Sequence, residues 1–507
     1  MYSWKRFILA FWSMVWFGCS LLAQPDNGMG ENVVFVVDSL TYKQTGSSIE
    51  KYKNSVENDG LNVIIAVQKW RNPNSVKKFL KDQYITNKIA GAVFIGDIPI
   101  AMLRGAQHLT SAFKIKENST RFSWPRTSVP SDRFYDDFDL QFRYIRQDTL
   151  NPQMHYYRLK PDSPQKINSE IYSGRMALYG PDSLKYQRLG NYLQRIARQK
   201  EQGLRLDNAF IYTGHGYHSE SLDAWNSNCE RYREQFPNLQ KPGKRLRFFN
   251  HAMDGNMKYN IIHYLQQPSM DLAVFHAHGS ANKQYLLGFE PAQSIMENIE
   301  SVKLFLRSKM RRAKKRDKSP AETQIKYMKR YGLPFAWFED ALSDSLAHRD
   351  SLLFASQDMF LYDIQNINPQ AKLIYFDECF NGAFFNDGYV AGEYVFKGAG
   401  KTVTALANSV NVLQDVWANR YFGLIPMGLR AGEWLKLQNK LELHVIGDPT
   451  FRFGPKQPIE STVPGEQLFN KDMLDRWLEK EPAALQLLGI RKLYETEQED
   501  ALDVLEA

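Results

Sequence analysis

Two short apolar runs in this chain end in residues that can do chemistry. MDLAVFHAHGS (270–280) carries His276, His278 and Gly279, and AKLIYFDECFNG (371–382) carries Cys379. A buried strand closed by a small polar turn is how α/β folds present reactive side chains at a sheet's C-terminal edge. A histidine and a cysteine placed this way can form a thiolate–imidazole pair, the machinery of a cysteine peptidase. Turns at Gly279 and Cys379 could supply backbone N–H donors for an acyl oxyanion. Gly279 also permits close backbone approach. Asn381-Gly382 favours a tight turn just after the thiol.

Taken singly, a cysteine after an apolar strand is usually a small core residue, and a histidine there is usually structural. Their joint occurrence at equivalent strand ends is what points to catalysis. His276 lies two residues before His278, and in an extended strand the two share a face. His215 ends a third run, NAFIYTGHG (208–216), and is also followed by glycine. His278 is favoured because Gly279 follows it and its run lies nearer the cysteine run. A metal-dependent hydrolase built on His215, His276 and His278 is a competing chemistry.

The elements that must position these residues alternate. Strands are expected at 32–38, 61–68 and 91–100, with helices at 48–58 and 74–87. That alternation predicts a parallel sheet with helices on its faces. Residues 101–170 read as loop-rich and aromatic, and a helix at 182–201 leads to the second half. There strands are expected at 208–216, 244–250, 401–409 and 443–453, with a helix at 222–236. The charged stretch 290–370 interrupts the pattern between the histidine and cysteine runs. It is expected to be a helical insertion forming a cap or side lobe. Its basic run, KMRRAKKRDK (309–318), reads as a solvated helix face or a docking site. The stretch 456–507 reads as a helical tail. In PSDRFYDDFDLQF, the carboxylates of Asp132, Asp136, Asp137 and Asp139 could bind calcium through oxygen ligands, although the spacing is not that of an EF-hand. A solvated acidic loop is the alternative.

The chain has 507 residues, 24% of them charged, and a formal charge of +8. This is no whole-surface signature of nucleic-acid binding. Lys5 and Arg6 precede an apolar stretch that ends in Leu-Leu-Ala-Gln. Residues 1–23 therefore read as a signal peptide, implying export to the periplasm, outer membrane or exterior. Cys19 offers a lipoprotein alternative, and membrane association is expected only if it is lipidated. Cys229 and Cys379 would remain in the mature chain, too few for a disulfide scaffold.

These runs resemble those of the gingipain-like cysteine peptidases of the caspase clan. AVFHAHGS and LIYFDECFNG match the strands that end in His-Gly and Cys. VFIGDIPI, PSDRFYDDFDL, EIYSGRMAL, ANSVNVLQDVW and HVIGDPTF follow in family order, so the resemblance spans roughly 90–455. It implies an exported endopeptidase of the Bacteroidetes type acting on protein or peptide substrates. Cys379 would be the nucleophile and His278 the general acid/base. The implied fold is a caspase-like α/β sandwich of two subdomains, 24–200 and 201–455, with both catalytic residues in the second. No cofactor is required, and calcium would be structural. Where the family places an acid to orient the histidine, this chain has His215, with Glu220 or Asp223 as substitutes. Asp223 or Glu220 would also favour cleavage after basic residues. The alternative is a catalytically altered relative serving as a binding or assembly protein of the cell envelope or secretion apparatus.

Overall fold

The computed structural model of the protein describes residues 31–216, 222–288, 292–397, 399–413, 418–454 and 482–495. The expected signal segment, Cys19 and Glu220 lie outside the described residues. Ten strands form one sheet. Their spatial order is Arg245–Asn250, Asn208–Thr213, Leu272–His276, Leu373–Asp377, Thr404–Asn408, Leu443–Gly447, Tyr172–Met176, Ile89–Ile95, Asn32–Asp38 and Asn62–Gln68. Neighbours run parallel throughout, except at one antiparallel seam between Thr404–Asn408 and Leu443–Gly447. The protein is thus mixed α/β with a large, mainly parallel central sheet flanked by helices.

The strands form where the sequence is a continuous β-branched or aromatic run, the pattern of a sheet covered on both faces. Asn32–Asp38 shows how each face is filled. Val33, Phe35 and Val37 join the cluster that holds Ile49, Tyr52 and Val56 of helix Ser39–Glu57 and Leu189, Tyr192 and Leu193 of helix Asp182–Gln202. Val34 and Val36 face the other way, into the cluster with Val76 and Leu80 of helix Pro73–Asn87. The side-chain period of two decides which layer each residue meets.

Two expectations need adjustment. The first helix begins at Ser39, well before residue 48, because the Asp38 carboxylate accepts the N–H groups of Leu40 and Thr41 as an N-cap. The region 101–170 carries a four-stranded sheet built from Ile100–Arg104, Val129–Pro130, Phe142–Gln147 and Met154–Leu159. Its strands are short, and Phe142–Gln147 and Met154–Leu159 mix arginine, histidine and tyrosine with apolar residues, so they lack the unbroken apolar runs that mark the main sheet. The insertion contains helices Ile295–Lys314, Pro320–Tyr331 and Asp344–Gln357, with a small core of its own around Leu306, Met310, Phe338 and Ala341. In the C-terminal stretch the described helix is Ala483–Glu495. Among the described residues, no helix is long and apolar enough to cross a membrane.

Asp59, at the end of the first helical unit, ties distant segments together. Its carboxylate lies 2.6 Å from Arg430, 2.8 Å from Arg452 and 3.5 Å from Lys200. Burial alone would push its pKa up. The charges of Lys200 and Arg430, with hydrogen bonds from Arg452 and Arg430, outweigh burial and bring it down to about 2. A carboxyl held lower in the folded state stabilises above its unfolded pKa and loses that contribution as pH falls through the folded value. Stability from this group is therefore expected to drop by about 2 kcal/mol between about pH 4 and about pH 2. Guanidinium unfolding of the wild type and Asp59→Asn across that range checks it. The variant should start less stable and lose less on acidification.

Candidate active site

Strands Leu272–His276 and Leu373–Asp377 are neighbours, and their register pairs His276 with Asp377. His278 and Cys379 therefore each stand two residues past the last paired position. The paired residues also meet through their side chains. Nδ1 of His276 lies 2.9 Å from Asp377 Oδ2, and Nε2 lies 2.8 Å from the hydroxyl of Tyr232 on helix Leu222–Gln235. All three are buried. His276 is thus a cross-strand structural group and does not line the cleft that holds His278 and Cys379. The expectation that it shares a face with His278 fails because the strand ends at His276.

Beyond His276 the chain enters a hairpin, in which His278–Ser280 runs antiparallel to Lys283–Tyr285. Met359–Phe360, at the end of the insertion, adds a third strand. The cysteine turn grips this hairpin. Asn381 Nδ2 donates to the Ser280 carbonyl at 2.7 Å. The Gln284 amide donates to Glu378 Oε1 at 3.2 Å and accepts from the Tyr394 hydroxyl at 3.0 Å. Burial pushes the Glu378 carboxyl well above the usual range, and the charge of Asp377 adds to this. A Cβ on Gly279 would lie 2.6 Å from the Cys379 carbonyl oxygen. The hairpin backbone therefore rests directly on the cysteine turn, where only glycine fits.

The cysteine turn stores strain. Phe380 adopts φ 60°, a left-handed conformation that costs a bulky residue about 1–2 kcal/mol. Hydrogen bonds hold it there. Phe380 N–H donates to the Val410 carbonyl at 3.0 Å, and Gly382 N–H donates to the Asn408 carbonyl at 2.9 Å. Asn408 Nδ2 donates to the carbonyls of Phe376 and Glu378 at 3.0 and 3.3 Å. The Cys379 sulfur accepts the Val412 N–H at 3.4 Å. Burial pushes the thiol up; the Val412 N–H, Asn411 and Lys114 pull against it without reversing the shift. Cys229 is buried on its helix, where desolvation raises its thiol to about 11. Neither cysteine is in a disulfide.

His278, Gly279 and Cys379 line one open cleft of about 910 Å³, together with His215, Lys114 and Asn411. Ser308, Arg312, Phe354 and Gln357 of the insertion also line it. The insertion is therefore part of the site. His215 is exposed just past strand Asn208–Thr213, its N–H donating to the Leu286 carbonyl at 3.1 Å. A Cβ on the adjacent Gly216 would lie 2.8 Å from His278 Nε2. The two histidine turns thus pack against each other. Asp223 is exposed in the first turn of helix Leu222–Gln235 and is not among the cleft's lining residues.

The four aspartates are not brought together as a set. Asp132 pairs with Arg175 at 2.6 Å, and Asp136 with Arg133 at 2.5 Å. Asp136 also accepts from the hydroxyls of Ser169 and Ser173. Asp137 accepts the N–H groups of Leu140 and Asn168, while Asp139 is exposed. Three of the four are thus buried, unlike a solvated loop. Among the described residues, no group of three or more His, Cys, Asp or Glu side chains could hold a metal ion.

Sequence reasoning missed Lys114, Asn411, Val412 and Arg312 as site residues. Asn411 and Val412 lie in the ANSVNVLQDVW stretch, a signal that could have found them. Arg312 lies in the basic run 309–318, which points to docking but not to this cleft, and Lys114 carries no local signal. The site and fold together define an α/β protein with a cysteine and a histidine in one cleft at its sheet edge. No family model, curated protein or solved structure matches the chain. Gly279→Ala is expected to force the hairpin off the cysteine turn, at a cost of about 1–3 kcal/mol. Thermal unfolding checks this, and an unchanged melting temperature would contradict the close contact.

Proposed function

We propose that the protein is an exported cysteine endopeptidase with a caspase-like, gingipain-like arrangement of its sheet edge. One observation carries the reading: Cys379 and His278 stand at equivalent positions past paired parallel strands and line the same cleft. The Cys379 sulfur, as thiolate, attacks the scissile carbonyl carbon. The oxyanion that forms is met by backbone N–H groups of Gly279 and Cys379. The His278 imidazolium gives its proton to the leaving nitrogen, the C–N bond breaks, and a thioester remains. His278 then takes a proton from water as that water attacks the thioester. The C–S bond breaks, releasing the acid and restoring the thiolate–imidazolium pair. His215, beside His278, is the candidate orienting partner in place of an acid. Residues 1–23 would direct export.

A second reading has one observation in its favour. Burial raises the Cys379 thiol, whereas a resting thiolate needs it lowered. On that reading the same cleft binds a partner without chemistry, as in an envelope or secretion assembly.

Peptide hydrolysis and iodoacetamide labelling separate the two. The peptidase reading expects hydrolysis that Cys379→Ala abolishes and His278→Ala lowers by about 10²- to 10⁴-fold. It also expects Cys379 to be alkylated well before Cys229, and more slowly in His278→Ala. Equal, slow labelling of both cysteines with no hydrolysis favours the binding protein.

A further inference from the structure

The charged residues facing the cleft are Lys114, Lys283, Arg312 and Asp358. Asp358 and Lys283 are paired at 2.5 Å, so their charges cancel. Lys114 and Arg312 remain, both exposed, and neither pairs with a carboxylate among the described residues. Each sits on an anchored element. Three residues before Lys114, the Ser111 N–H donates to Glu442 at 2.9 Å, and the Ser111 hydroxyl accepts the Leu413 N–H at 2.9 Å. This ties the Lys114 loop to the segment that donates to the thiol. Arg312 rides on helix Ile295–Lys314, where the neighbouring Arg311 and Arg307 hold Asp350 at 2.8 and 2.9 Å. Those two arginines have a shared carboxylate partner, while Arg312 is left facing the cleft. Two exposed cations lining one cleft, neither paired with a carboxylate among the described residues, attract carboxylates and repel lysine or arginine.

Resting on the peptidase reading, we infer that the cleft selects acidic peptides, with Lys114 and Arg312 receiving aspartate or glutamate side chains beside the scissile bond. This reverses the preference expected from Asp223, which stands outside the cleft lining.

The test is cleavage of a fluorogenic peptide library by the full chain, followed by matched quenched peptides carrying Asp, Asn or Lys at the preferred position. Cleavage should cluster at sites with Asp or Glu within two positions of the scissile bond. Replacing that residue by Asn should lower kcat/KM, mainly through KM, and added salt should shrink the difference. Arg312→Glu, and separately Lys114→Gln, should each reduce kcat/KM for the Asp peptide by about fivefold, with Arg312→Glu improving the Lys peptide. Thermal melts confirm that each variant is folded. Cleavage without charge preference, or with preference for Lys or Arg, overturns this inference and leaves the peptidase reading standing. No cleavage of any peptide overturns both.

Discussion

The pairing of His276 with Asp377 is the constraint on which the rest of the site depends. It fixes the register of two neighbouring strands at their final residue. Because side chains alternate along a strand, a slip of one residue would invert the faces of the slipped run. The buried contact among His276, Asp377 and Tyr232 raises the cost of any such slip, since it would strand polar groups in the core. With the register locked, each chain segment has two residues in which to leave the sheet, and each uses them to reach the same cleft.

Past the strand ends, backbone geometry shapes the site more than side-chain chemistry does. The hairpin bearing His278 rests on the carbonyl of Cys379 through a glycine, and the cysteine turn is bent through a strained Phe380. Hydrogen bonds from Asn408, Asn381 and Gln284 offset that strain and fasten three separate chain segments around the thiol. The antiparallel seam contributes as well. Thr404–Asn408 lies beside the cysteine strand and brings Asn408 to the turn, while its other neighbour, Leu443–Gly447, continues into the N-terminal half of the sheet. The site is therefore braced by both halves.

Much of the sheet was legible in the sequence because fully buried parallel strands write themselves as unbroken apolar runs. The strand expected at 32–38 is found at Asn32–Asp38, and the run ends point to the two turns that carry the histidines and Cys379. Three things were not legible. The choice between His276 and His278 depends on where the strand stops, which tertiary pairing decides. The aspartates of 132–139 look like a ligand cluster in one dimension, but their partners Arg175, Ser169 and Ser173 come from further along the chain. The cleft's charge depends on Lys114 and Arg312, which only folding brings into one cleft with Cys379. Local pattern reports burial well, whereas long-range polar pairing leaves almost no local trace.

The cleft thus combines a cysteine and two histidines at the sheet edge with two cations, one from a loop and one from the insertion. The most direct test of a nucleophilic Cys379 is covalent trapping. The full chain is incubated with an acidic peptidyl acyloxymethyl ketone, and the adduct is located by peptide mass spectrometry. One adduct is expected, on Cys379, and its formation should depend on His278. An adduct on Cys229, or none while the protein remains folded, would contradict that role.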